Sequence, residues 1–559
     1  MNTKKIIYNV TFFVLTFFIL SSPAWAATYY VDAINGKDTN TGLSEATAWK
    51  TIAKVNASSF KPGDQILFKR GMIWRETLNV PSSGAEGKPV TFGAYGTGNK
   101  PIITGANVIS GWTLHKQSTF KVMMLSVQPN QVFMESERLT KGTSTDTLNN
   151  KEWFWATGVL YLKNDMGNPD TTGKVIEASQ RDHCVLVNYP GVKNFIVIDG
   201  LLIEKANSIG IFVGSALNGF TVSNSVIQSC YYDALKVTCR IRQSNGLIRG
   251  NTMAFNGSSG VDITETADSW VIEGNKSHDN CQINDKNHDF CGGIRVWGNF
   301  TNATNMVIQG NEIYRNGTVS PTANRGVGIW LDECGGGNTV RYNSVHHNNS
   351  NGIFLEATSY STVYYNIVWA NNGVNAWTFG GIFLTRTASN NTVSNNTLYN
   401  NWAGIAVASW GEANKVANNV IINNISLGNV KDLYADRGGD NDGIHGSGNI
   451  YQRNCFGAER AGFIKWGGTN YSSYAQWESA YGKPTYSVKS DPQLVNPELG
   501  IFKLQSSSPC IDTGTNVGLA HDYEGIGVPQ GDGVDIGGLE FVPAHSAMPA
   551  PPRNFKIHS

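Results

Sequence analysis

An asparagine that keeps coming back constrains this chain more than any other feature. Asn251, Asn275, Asn311, Asn343, Asn366, Asn396 and Asn419 each follow an apolar residue three places earlier, at intervals of 24, 36, 32, 23, 30 and 23 residues. A floor of 23 to 24 residues with irregular additions means that one structural unit repeats while loops on one side vary in length. Each unit also carries a short strand opened by glycine: Gly210-Ile-Phe-Val, Gly260-Val-Asp-Ile, Gly293-Ile-Arg-Val, Gly328-Ile-Trp-Leu, Gly352-Ile-Phe-Leu, Gly381-Ile-Phe-Leu and Gly404-Ile-Ala-Val, with Ala234-Leu-Lys-Val between the first two. Apolar residues alternate with variable ones, the period of a strand with one face inside. No such unit can bury its apolar face alone. Stacking them satisfies every face at once, so the expected fold is all-β, a right-handed parallel β-helix with asparagines laddered at its turns.

Superposed, these strands place side chains in columns on the outer face, where neighbouring coils lie ~4.8 Å apart. Two places after the opening glycine come Phe212, Lys236, Asp262, Arg295, Trp330, Phe354, Phe383 and Ala406. Four places after come Gly214, Thr238, Thr264, Trp297, Asp332, Glu356, Thr385 and Ala408. Charge gathers on the middle coils beside Trp297 and Trp330, which marks a site. The long insertions Ser277 to Gly292 and Gly317 to Val327 enter the strands of Arg295 and Asp332 and would wall it. Asp332 and Glu356 share a column on adjacent coils. Two carboxylates about one strand spacing apart match the ~5 to 5.5 Å of retaining glycosidases. Asp262, two coils from Asp332, could form a wider inverting pair or orient the sugar.

The chain of 559 residues has 43 Lys and Arg against 43 Asp and Glu, with a pI near 7.1. Such balance provides no basic field for nucleic acid and no polybasic surface for a membrane. Lys4 and Lys5, the apolar stretch Ile6 to Leu20, and Ala24-Trp25-Ala26 read as a signal peptide over 1–26, so export and a mature start at Ala27 are expected. No later run is apolar over the ~18 residues a membrane helix needs.

The whole pattern resembles secreted carbohydrate-active β-helix proteins of the pectin-lyase-like kind. Tyr29-Tyr30-Val31-Asp32, Asn35-Gly36-Lys37-Asp38, Trp49-Lys50-Thr51-Ile52 and Pro62-Gly63-Asp64 resemble their N-terminal cap and first coils, taken as 27–105. Gln131-Val132-Phe133, Trp153-Phe154-Trp155 and Leu160-Tyr161-Leu162 within 106–180 look like a small β-rich insertion. Repeats then fill 181–455, a closing segment 456–541 carries Ser508-Pro509-Cys510-Ile511-Asp512 and Val534-Asp535-Ile536-Gly537, and 542–559 is a Pro-containing tail. The run Gly328-Ile329-Trp330-Leu331-Asp332 followed by Glu356 resembles β-helix β-xylosidases. That resemblance implies Asp332 as nucleophile and Glu356 as acid/base, with the flanking Glu333 able to substitute for either. Substrate contacts are expected from Arg295, Trp297, Trp330, Lys236, Glu333 and His288, with a polysaccharide or oligosaccharide as substrate and a monomer as the working form.

Lys236 and Arg295 support an alternative, a lyase acting on a uronate-containing glycan, as in β-helix alginate lyases. A non-enzymatic carbohydrate-binding or adhesive β-helix is the third reading. Two further constellations carry chemistry of their own. His278-x-x-Cys281 and His288-x-x-Cys291 could present zinc ligands, but in an exported protein a Cys281–Cys291 disulfide is the simpler expectation. No cofactor is required by this reading; acidic loops at Asp32, Asn35 and Asp38 and at Asp436, Asp440 and Asp442 could offer oxygen ligands to Ca²⁺, or be ordinary turns.

Overall fold

The computed structural model describes residues 26–123, 127–187, 191–214, 218–283, 290–317, 325–371, 380–408, 416–436 and 446–543. Each coil contributes three short strands to three long parallel sheets. One coil runs Val307–Gln309, Glu312–Tyr314, then Arg325–Asp332. The next repeats the order as Thr339–Arg341, Ser344–His346 and Ile353–Glu356, in direct register on each sheet. Strands of three or four residues suffice because every coil supplies the hydrogen-bond partners of its neighbours, which leaves edges only at the two ends.

The alternation seen in the sequence sets the core. Ile294, Ile329, Ile353, Ile382 and Ile405 stack inward on the third sheet, wholly buried, as do Val296, Leu331 and Leu355 beside them. Asparagines fasten the turns. Asn343 donates from Nδ2 to the carbonyls of Ile308 and Arg341 and to Asn366 Oδ1, each at 2.9 Å, while its own Oδ1 accepts from the backbone and side chain of Asn311. This ladder descends from Asn251 through Asn396 to Asn424 and Asn454. Asn419 does not belong to it: Asn419 stacks on Asn391 and Asn449, at the turn entering the first sheet. A third ladder, Asn256 to Asn429, holds the turn into the third sheet.

Residues 106–179 leave the coil and form two small, mostly antiparallel sheets around Trp153, Leu160, Leu162 and Ile176. At the other end the segment 494–541 turns back over the preceding coils. Phe502, Leu504, Ile536 and Leu539 pack on Ile367 and Ile425 with Trp369 and Tyr399 against them. Polar contacts pin this cover, among them Asn395 Nδ2 to the Asp535 carbonyl (3.1 Å) and Asn423 Nδ2 to the Thr515 carbonyl (2.7 Å).

Candidate functional site

The outer face of the third sheet carries the expected columns in the expected order. Lys236, Asp262, Arg295, Trp330 and Phe354 are consecutive register partners, as are Thr264, Trp297, Asp332, Glu356 and Thr385. This face is not open surface. Asp332 and Glu356 are each 7% exposed, Asp262 is 3% exposed, and the column below them is sealed by Trp330, Phe354 and Phe383.

The charges form two runs of ion pairs that meet where Asp332 and Glu356 are register partners. Lys236 Nζ sits 2.5 Å from Asp262 Oδ2 and 3.6 Å from Asp233 Oδ2. Arg295 reaches Asp262 Oδ1 at 3.8 Å and donates to Asp332 Oδ2 at 2.7 Å. Arg386 bridges the far side, from Nε to Glu356 Oε1 (2.8 Å) and from Nη1 to Glu333 Oε1 (3.0 Å), and Trp297 Nε1 donates to Glu333 Oε2 at 2.9 Å. Burial raises the Asp332 carboxyl above its ordinary range, opposed by Arg295. Glu356 is pushed up to about 7, first by burial and then by the charge of Asp332, with Arg386 resisting. For Lys236 burial acts downward, yet Asp233 and Asp262 overcome it and hold the ammonium above its ordinary value.

Four buried polar atoms here have no hydrogen-bond partner among the described residues: Thr385 Oγ1 beside Glu356, Trp330 Nε1, Arg295 Nε and Asp262 Oδ1. Buried polar groups are normally paired, so a cluster of orphans beside two raised carboxyls suits a polar ligand.

The other residues singled out in the sequence have the following places. Trp330 is no sugar platform, because the Arg295 guanidinium lies 5.0 Å over its ring and Phe354 stacks on it at 5.4 Å. Its indole N–H is the part left for a ligand. The ring exposed at the rim is Phe290, 60% accessible and packed against Trp330. His288 lies outside the described residues. Cys281 and Cys291 are buried free thiols in hydrogen-bond contact rather than a bridge. His278 is engaged by Asp279 at 2.7 Å and stacked on Tyr314, so it does not join Cys281 in a ligand set. Of the acids offered to Ca²⁺, Asp32 accepts from two backbone amides and Lys69, and Asp38 accepts from Lys50 N, Thr51 N and Thr51 Oγ1. Asp436 lies 3.5 Å from Lys465, and Asp440 and Asp442 lie outside the described residues. No group of three or more potential metal ligands occurs among the described residues.

The family described as a right handed beta helix region matches residues 183–380 and 299–456. This chain is a right-handed parallel β-helix. Its fold is shared with the solved complex of XylC with xylose, at TM-score 0.66 over 92% of this chain and 98% of that one; at 13% identity the likeness is one of fold. A lacto-N-biosidase of Bifidobacterium longum subsp. longum is 38% identical over 87 residues, which is 14% of this chain and 5% of that protein. The chain therefore spans about a twentieth of that relative's length.

Proposed function

We propose that this β-helix is an exported glycoside hydrolase that cleaves a neutral glycan by retention, with Asp332 as nucleophile and Glu356 as acid/base. The observation that carries this is the register of two shielded carboxyls on adjacent strands in unequal surroundings. Arg295 occupies Oδ2 of Asp332, so Oδ1 is the oxygen that attacks the anomeric carbon. Glu356, its carboxyl pushed up to about 7, gives its proton to the departing glycosidic oxygen, then takes one from the water that frees the sugar from Asp332. XylC, which shares the fold, was solved with xylose, and the relative matched over 87 residues is a lacto-N-biosidase; both support a glycan as the substrate class.

The same electrostatics speak against the lyase reading. A lyase base must lose its proton, whereas Asp233 and Asp262 keep Lys236 charged. Five carboxyls (Asp233, Asp262, Asp332, Glu333, Glu356) face three cations (Lys236, Arg295, Arg386), a surplus that would repel a uronate. Incubation with xylan, lacto-N-tetraose and polygalacturonate separates the readings. New reducing ends on a neutral glycan, lost in Asp332→Ala, support hydrolysis. An unsaturated uronate, with Lys236→Ala inactive and Asp332→Ala and Glu356→Ala both active, overturns it.

A further inference from the structure

On the vertex of the coil opposite the site sheet, where the first sheet turns into the second, three successive coils carry glycine: Gly250, Gly274 and Gly310, at φ 65°, 62° and 61°. The turn does not need glycine. The coil before has Asn224 at φ 48°, and the two after have Tyr342 at 57° and Tyr365 at 50°. A Cβ on Gly274 would meet nothing within 4 Å. What the three glycines provide is room: they floor a groove of about 510 Å³, within the ~300–1,000 Å³ of ligand sites. His521, from the returning C-terminal segment, forms a wall and accepts the Tyr342 hydroxyl at its carbonyl, 3.2 Å away.

Beside the floor runs a ladder of polar side chains, one per coil. Arg249 pairs with Glu273; Gln309 Nε2 donates to Glu273 Oε2 at 2.7 Å; Arg341 Nε donates to Gln309 Oε1 at 2.8 Å. Side chains that donate (Arg249, Arg341), accept (Glu273) or do both (Gln309) thus recur every ~4.8 Å along the groove, bonded to one another, with the Tyr342 ring at one end. We propose that this trough is a second binding site, remote from Asp332 and Glu356, for a neutral oligosaccharide laid along the coil axis.

The chemistry selects that class. Hydroxyls both donate and accept, which suits a ladder that mixes guanidinium, carboxylate and amide groups. An extended peptide would need free backbone groups, but the amides of Gly250, Gly274 and Gly310 already bond the carbonyls of Glu273, Gln309 and Arg341 in the next coil. The charged lining, Arg249 and Arg341 against Glu273, carries one net positive charge, with Arg249 already paired to Glu273, which is too little to hold a chain that bears a carboxylate on every sugar.

Hydrogen–deuterium exchange on the full chain, with xylohexaose, cellohexaose, lacto-N-tetraose and hexagalacturonate in turn, tests the site without using turnover. A neutral oligosaccharide should protect the amides around Gly250, Gly274 and Gly310, equally in wild type and in Asp332→Ala. Gly274→Tyr places in the floor the residue that the fold already accepts at 342, and should weaken binding at least tenfold, about 1.4 kcal/mol. Tyr342→Ala should weaken it in the same direction. The proposal is overturned if no neutral oligosaccharide protects these turns, if protection is confined to the site sheet, if Gly274→Tyr binds as wild type does, or if hexagalacturonate binds there best. Failure of hydrolysis by Asp332 and Glu356 would leave this readout unchanged, so the two readings fall separately.

Discussion

Glu356→Gln should make the protein more stable in alkaline buffer and leave it unchanged in acid. The folded protein raises this carboxyl from 4.5 to about 7 because burial and the neighbouring Asp332 penalise its ionised form. The stability tied to a raised pKa is fully present below the unfolded value and is lost as pH rises through the folded one. The gap between 4.5 and about 7, at ~1.36 kcal/mol per pH unit, comes to about 3 kcal/mol of strain above pH 8. Glutamine keeps the shape and the Oε1 acceptor for Arg386, and Arg386 stays paired with Glu333, so no cation is stranded. For a chain of this length about 3 kcal/mol is worth a Tm increase of about 3 °C. Thermal melts of both proteins at pH 4.5 and pH 8.5 read it directly. An offset that is the same at both pH values, or a variant less stable at pH 8.5, would refute the electrostatic account of Glu356.

Asp332→Ala should abolish turnover while sugar binding persists; Glu356→Ala should retain activity on substrates with good leaving groups and recover part of its rate with azide, measured as product release. Activity of the wild type on substrates with poor leaving groups should fall as pH rises through about 7, because Glu356 then lacks the proton to give, and a pH profile of kcat/KM checks this. Asn343→Ala removes its side-chain amide from a buried ladder and strands partners on both neighbouring coils, a loss of about 3 kcal/mol in denaturant unfolding. Cys281 and Cys291, thiol against thiol, should close into a bridge in oxidising medium, seen as resistance to alkylation before reduction.

The site columns were legible because a parallel strand stacked in register preserves sequence position: counting from each glycine is the same as reading up the sheet. Lys236, Asp262, Arg295 and Trp330 came out in their true order for that reason. The asparagine count slipped at its last step because coils carry asparagines at more than one turn, and Asn419 and Asn424 both fit an apolar-x-x-Asn spacing. Arg386 was missed although it lies one place beyond the second column, in line with Glu333. Its left-handed turn swings the side chain back onto Glu356, which no count of residues shows. The loss of the Trp330 face to Arg295 and Phe354 has the same origin, because side chains on adjacent coils are close enough to cover one another.

A stack of coils is exposed to fraying, since each coil touches only its neighbours and the last one can peel away alone. Here the final segment is tied 140 residues back, at Asn395 and Thr397, and covers Ile367 and Ile425 on the way. Peeling from that end must first tear off this cover across several coils, so melting there should proceed as one block rather than coil by coil. A protease cut near Gly500 would leave that cover held by its non-covalent contacts alone, and once it dissociated an otherwise intact helix would be free to open from its tip.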